Sequence, residues 1–253
     1  MSQGRFMSPA GRMIVVASGK GGVGKTWFSI SLAQALARQG RRVLLADADL
    51  GLANIDVQLG VQPERDLVGV LSGKLTTIEA ATPITNAGFD VLAGRSGTGA
   101  LASLSPAALD TFMATLQGAR QHWQDVVVDL GAGLDMAQRR IAAASDLLLV
   151  VATEEPTSMT DAYAVLKLHS MDNPKGVSRI VINMADDRAS GQRTYEALRR
   201  AAGAFLKRDI PLAGVVRRDP KVRDAIRHQT PLLTRHPSAS AALDIEAIAQ
   251  TLR

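Results

Sequence analysis

Gly19-Lys20-Gly21-Gly22-Val23-Gly24-Lys25-Thr26 is the stretch of this chain whose residue types and spacing most directly imply chemistry. Gly19, Gly21, Gly22 and Gly24 have no Cβ, so left-handed dihedrals are open to them and successive backbone N–H groups can turn toward one anion. Lys25 stands where a helix should begin; the helix dipole there favours negative charge, and the ammonium can reach the terminal phosphates of a nucleotide. Thr26 offers a hydroxyl to a magnesium ion. Chance would produce the spelling G-x-x-x-x-G-K-[ST] in about one chain in a hundred of this length. The expected ligand set is therefore the phosphates of a nucleotide with Mg2+, held by residues 19–26, Val23 included. Lys20 is surplus, because one phosphate loop normally supplies one cation; this lysine reads as serving a neighbouring subunit.

Carboxylates at strand ends complete the set. Val43 to Ala46 is a short apolar run ending in Asp47-Ala48-Asp49, and Asp125-Val126-Val127-Val128-Asp129 leads into Gly131-Ala132-Gly133. Open α/β sheets bind ligands beyond the carboxyl ends of their strands. Asp47 and Asp129 are expected to order the water shell of the magnesium together with Thr26; the loop's resemblance to the MinD/ParA ATPases implies that Asp49, in the place of that family's switch aspartate in the pattern D-x-D, orients the attacking water. Lys20, Lys25 and Asp49 are thus the candidate catalytic residues. Phosphoryl transfer at such a site needs positioning and electrostatic stabilisation rather than a covalent intermediate. Asn183, closing the run Ile180 to Asn183, is either a strand-end cap or, as the same resemblance implies, the residue that reads adenine through its amide, with Arg217 and the loop 217–220 beside the base.

These residues need a scaffold, and the rest of the chain spells one. Apolar runs at 13–17, 43–46, 89–93, 125–130, 147–152, 177–183 and 210–216 read as strands. Amphipathic or capped stretches at 27–38, 105–121, 157–170, 190–207, 221–228 and 239–252 read as helices, with a helix also from Leu134 and short helical pieces at 66–71 and 78–81. Alternation of this kind predicts a doubly wound, mostly parallel sheet with helices on both faces, forming one domain over residues 13–253. Residues 1–12 contain breakers without hydrophobic period and read as a mobile tail. Gly94 to Gly99 is glycine-rich but lacks the lysine of a second phosphate loop.

Composition narrows the classes further. The 253 residues include no cysteine, so neither disulfides nor a thiolate metal site can form. The four histidines show no zinc spacing. No apolar run reaches the length of about 20 residues that spans a bilayer, and no signal-peptide core precedes Arg12, so a cytoplasmic protein is expected. A net charge of +5 and a pI of about 9.9 suit DNA, an anionic membrane surface, or plain solubility.

Lys20 to Thr26 resembles the deviant Walker A box of the MinD/ParA ATPases, the SIMIBI class of P-loop NTPases. The resemblance implies that Lys20 crosses an ATP-dependent homodimer to the partner's phosphates. Asp49 to Asp56 and Glu155 to Lys167 are similar to the flagellar-number regulators of the FlhG/FleN branch, and the likeness covers about residues 12 to 252. It implies a slow, partner-stimulated ATPase that sets flagellar placement or number, with an FlhF-like GTPase or a transcriptional regulator as partner. It also implies a place at the inner face of the membrane or a cell pole, with transient membrane association. Two departures stand out: no glutamine- and leucine-containing activation motif lies at the N-terminus, and Thr251-Leu252-Arg253 ends the chain without a basic amphipathic membrane tail. Rival readings are a ParA-like partition ATPase binding nonspecific DNA through Arg217, Arg218, Lys221, Arg223 and Arg227, and a nucleotide-binding scaffold with negligible turnover.

Overall fold

The computed structural model describes residues 11–49, 54–94 and 105–252. Residues 1–10 of the expected tail, Leu50 to Ala53 and most of the glycine-rich stretch after Gly94 lie outside the described residues.

Alternating patterns become alternating elements. Strand β1 (Arg12–Ala17) enters helix α1 (Lys25–Arg38), followed by β2 (Val43–Ala48), α2 (Ile55–Leu59), α3 (Leu67–Leu71), α4 (Thr77–Ala80), β3 (Thr82–Ile84) and β4 (Phe89–Leu92). Then come α5 (Pro106–Ala119), β5 (Asp125–Leu130), α6 (Met136–Ala143), β6 (Leu147–Ala152), α7 (Pro156–Asp172), β7 (Ser178–Ala185) and α8 (Arg188–Ala201). The last elements are β8 (Leu212–Arg217), α9 (Pro220–Arg227), α10 (Leu232–Arg235) and α11 (Ser240–Thr251).

The strands form one eight-stranded sheet in the order β3-β4-β2-β5-β1-β6-β7-β8. All pairs are parallel except β3 with β4. Both faces are covered, as a parallel sheet requires: Ile14 and Val16 of β1 pack in a core with α1 and α11, while Met13, Val15 and Ala17 face a second core with α5, α7 and α8. From β1 the chain steps to one side as far as β3, and from β5 it crosses β1 to build the other side. The carboxyl ends of β2, β5 and β1 thus lie side by side at the reversal of strand order, the usual ligand position in such sheets.

Several elements depart from the sequence pattern. Helix α1 has no wet face over most of its length: Trp27 through Leu36 are all buried, including Ser29, Ser31 and Gln34. Ser29 donates to Asp129 at 2.9 Å, and Gln34 donates to the Thr234 hydroxyl at 2.6 Å and accepts from the Leu233 N–H. Helix α6 starts at Met136 rather than Leu134, because Asp135 and Gln138 form a capping box. The helix expected over 190–207 gives way at Ala202–Leu206 to a π-helical turn. Strand β3 holds Pro83 and escaped the strand pattern; an edge position tolerates the missing N–H. No helix among the described residues is long and apolar enough to cross a membrane.

At the opposite rim, Asp125 is fully buried at the start of β5 and ties β1 to the α1–β2 turn: Arg12 Nε lies 2.6 Å and Arg41 Nη2 3.0 Å from its Oδ1. Removing the carboxylate leaves two guanidiniums facing each other. Asp125→Ala should lose about 3 kcal/mol of stability, the low end for a broken buried pair because both arginines can still reach water. Urea denaturation checks this, with an unchanged slope expected.

Candidate functional site

The loop between β1 and α1 is built by two different uses of glycine. Gly22 and Gly24 have φ of +80° and +84°, conformations L side chains rarely adopt. Gly19 does not take a left-handed dihedral as expected; it is needed because α7 crosses it, and a Cβ there would lie 2.5 Å from the Asp161 carbonyl oxygen. Gly21 meets neither constraint and is exposed. Ser18 donates to the Lys20 carbonyl at 2.7 Å, and the Gly133 N–H donates to the Ser18 carbonyl at 3.2 Å, so the β5 loop is tied to the phosphate loop.

Lys25 opens α1 and is 8% exposed. Burial lowers its pKa, opposed by the negative charges of Asp129 and Asp49. Asp129 is 1% exposed and accepts from Ser29 at 2.9 Å and from the Thr26 hydroxyl. Burial pushes its pKa up to about 6 in spite of these bonds and of Lys25. Asp47 pairs directly with Asp129 in the β2–β5 register, and burial, helped by that neighbour, pushes it up to about 7.

Asp47 has a task that its sequence position did not announce. Its Oδ1 accepts from the Asp49 N–H at 3.0 Å, and its Oδ2 from the N–H groups of Asn54 and Ile55 at 3.0 and 3.1 Å. The carboxylate therefore shapes the segment that carries Asp49 and starts α2. Asp49 is half-buried and lies against the β5 loop, where a Cβ on Gly131 would come within 3.1 Å of its Oδ1. Ser29 was also missed, although it sits on the same helical face as Thr26, three residues on.

Magnesium takes oxygen ligands and is commonly held by one or two carboxylates plus substrate phosphates. Thr26 and Asp129, already hydrogen-bonded to each other beside Lys25, fit that requirement; Asp47 is the outer carboxylate of the pair.

Three of the expected site residues make contacts that the sequence did not announce. Arg217 does not offer its guanidinium to a base: it bonds both oxygens of Asp244, at 2.8 and 2.9 Å, and the carboxylate is 1% exposed. The loop 217–220 lines, with Trp27 and Met184, a cavity of about 270 Å³. Asn183 is fully buried, and its Nδ2 donates to the Val23 carbonyl at 2.7 Å, so the amide braces the phosphate loop and only Oδ1 lacks a partner. Lys20 does not hang free: its Nζ lies 2.8 Å from Glu155 Oε2 and 3.1 Å from the Thr157 hydroxyl at the start of α7.

Comparison with known proteins agrees with this geometry. Residues 14–232 match the CobQ/CobB/MinD/ParA nucleotide binding domain. The chain is 38% identical over 251 residues to the antiactivator FleN of Pseudomonas aeruginosa, covering 99% of this chain and 89% of that one. It is 32% identical to the flagellum site-determining protein YlxH of Helicobacter pylori, covering 95% and 81%. Among solved structures, the cell division ATPase MinD of Pyrococcus furiosus superposes with a TM-score of 0.81 at 24% identity, over 96% of this chain and 98% of that one. A ParA family ATPase from Chlorobium tepidum gives 0.79 at 20%, over 97% and 100%. At these identities the superpositions speak for the fold alone.

The carboxylate pair predicts a pH dependence. Both folded-state pKa values lie above the unfolded value of about 3.9, so the nucleotide-free fold is unburdened below about pH 4 and loses stability as pH rises through 6 to 7. Asp129→Asn should stabilise the nucleotide-free protein by about 2 kcal/mol at pH 8 and by nothing measurable at pH 4, while abolishing the extra stability conferred by Mg·ATP. Urea melts at the two pH values, with and without Mg·ATP, check both halves.

Proposed function

The chain belongs to the CobQ/CobB/MinD/ParA family of nucleotide-binding domains, and from that premise we propose that it is an ATP hydrolase whose ATP-bound dimer acts as a switch regulating flagellar number or placement. The observation that carries the ATPase reading is the convergence of Lys25, Thr26, Asp49 and Asp129 beneath one glycine loop. The loop N–H groups and Lys25 hold the β- and γ-phosphates. Bound magnesium, held by Thr26 and Asp129, supplies neutralisation of phosphate charge. Asp49 orients the attacking water, and Asp47 sets the position of Asp49 through its backbone N–H. Buried cations aimed at developing charge are effective because little water competes with them.

Lys20 accounts for the dimer. Its ammonium points away from its own loop, toward the first turn of α7. The pair with Glu155 has side-chain exposures of 33% and 66%, and exposed pairs are easily exchanged for a better partner. A second protomer facing this one brings its own phosphates to Lys20, and the lysine leaves Glu155 for them. The flagellar assignment draws on the printed roles of the FleN and YlxH relatives. Partner-stimulated turnover, a flagellar GTPase or transcriptional regulator as partner, and transient residence at a pole or the inner membrane face belong to the same proposal. Copurification of this chain with flagellar regulators, dependent on ATP, tests it.

Lys25→Ala should abolish Mg·ATP binding measured by calorimetry; unchanged affinity would reject the site. Asp49→Ala should bind ATP with near-parent affinity, hydrolyse it at least tenfold more slowly, and run as a dimer with ATP but a monomer with ADP in light scattering. Adding Lys20→Ala to that variant should restore the monomer at tens of micromolar protein. A double variant that still dimerises would leave Lys20 as a local loop residue.

A further inference from the structure

Trp27 follows the Lys25-Thr26 pair in the first turn of α1, and it carries an unanswered question. It is 8% exposed, and among the described residues its indole Nε1 has no hydrogen-bond partner. Buried indole N–H groups almost always find an acceptor, because leaving one unpaired forfeits its solvation. Packing explains the ring, which belongs to the same apolar core as Ile30 and Leu59, with Ile226 packed against that core. It does not explain why the N–H points to the other side.

That other side is the phosphate loop. Nε1 lies 2.3 Å from where a Cβ on Gly24 would stand, with the Asn183 amide and the Met184 methyl close by at 2.6 and 2.9 Å from the same point. Gly24 is the last glycine before Lys25, at φ +84°, and caps α1. The indole also lines the cavity of about 270 Å³ whose opposite wall is the loop from Arg217 to Pro220. The donor thus stands between the anion cradle on one side and the base-sized cavity on the other. Arg217, Arg218 and Arg223 also line that cavity, Arg217 being engaged by Asp244, and the indole N–H is a buried donor without a partner among the described residues at the junction.

We propose that Trp27 is a nucleotide-contacting residue whose indole N–H donates to the sugar–α-phosphate portion of bound adenine nucleotide while its ring forms one wall of the base cavity. This deepens the ATP reading and rests on it. Because the contact falls on the part shared by ATP and ADP, Trp27 contributes to binding in both states and takes no part in sensing the γ-phosphate.

Trp27→Phe keeps the ring and removes the donor. Calorimetry with Mg·ATP and with Mg·ADP should show about a tenfold loss of affinity for each, the effect expected for one hydrogen bond to a charged or polar ligand group. Unchanged affinities, or a loss confined to ATP, would overturn the assignment. The only other tryptophan, Trp123, donates to Asp90 at 2.7 Å, away from the loop. Trp123→Phe therefore leaves Trp27 as the single indole, and its emission should shift on saturation with either nucleotide; a flat response overturns the proposal even if Trp27→Phe does not fold. A parent protein that binds neither nucleotide would instead overturn the ATP reading, and this assignment with it.

Discussion

Two carboxylates buried side by side, Asp47 and Asp129, are the constraint around which the molecule is arranged. Charges in such a place are unfavourable unless each finds hydrogen-bond donors or a cation. The fold supplies both kinds of compensation. Asp129 receives hydroxyls from α1 and the charge of Lys25, and Asp47 receives three backbone N–H groups from the segment after β2. Burial nevertheless raises the pKa of both carboxyls.

Compensation of this kind also links the parts of the site mechanically. The bonds that keep Asp47 satisfied fix the backbone of Asp49, and Asp49 rests on the glycine segment of the β5 loop, which is itself bonded to Ser18 at the mouth of the phosphate loop. A ligand that alters the charge balance at Asp129 therefore acts on elements that share one hydrogen-bonded ring. Asn183, holding Val23 from beneath, and Asp161, lying on Gly19, clamp the loop from β7 and α7. The loop is exposed at Gly21 and Gly22 and held at both ends, so its N–H groups are positioned before a phosphate arrives.

Lys20 sits outside that ring. Its contact with Glu155 and Thr157 connects the loop to the start of α7, the segment whose spelling resembled a flagellar branch of the family. Trading one exposed carboxylate for another anion requires no rearrangement of the core, which makes this lysine suited to changing partners while Lys25 keeps its place.

The sequence by itself determined the elements whose signals are local. A glycine loop before a lysine, apolar runs ending in aspartate, and Ser105-Pro106 at a helix start each follow from dihedral freedom, patterning and capping, which neighbouring residues decide. Short or capped pieces were harder: α2 and α10 have too few residues for a period, and Pro83 hid an edge strand. Tertiary structure alone decided what the polar side chains touch. Arg217, expected beside the base, is held by Asp244 from α11; Asn183, the candidate base reader, braces the loop with its Nδ2; Lys20, expected to serve a neighbouring subunit, leans here on Glu155, 135 positions away. Spacing places a charged residue at a strand end, but which opposite charge reaches it depends on crossovers that bring distant segments together. Hydrogen bonds act over about 3 Å, and no reading of neighbours in a chain reports a distance of that kind between α7 or α11 and the loop.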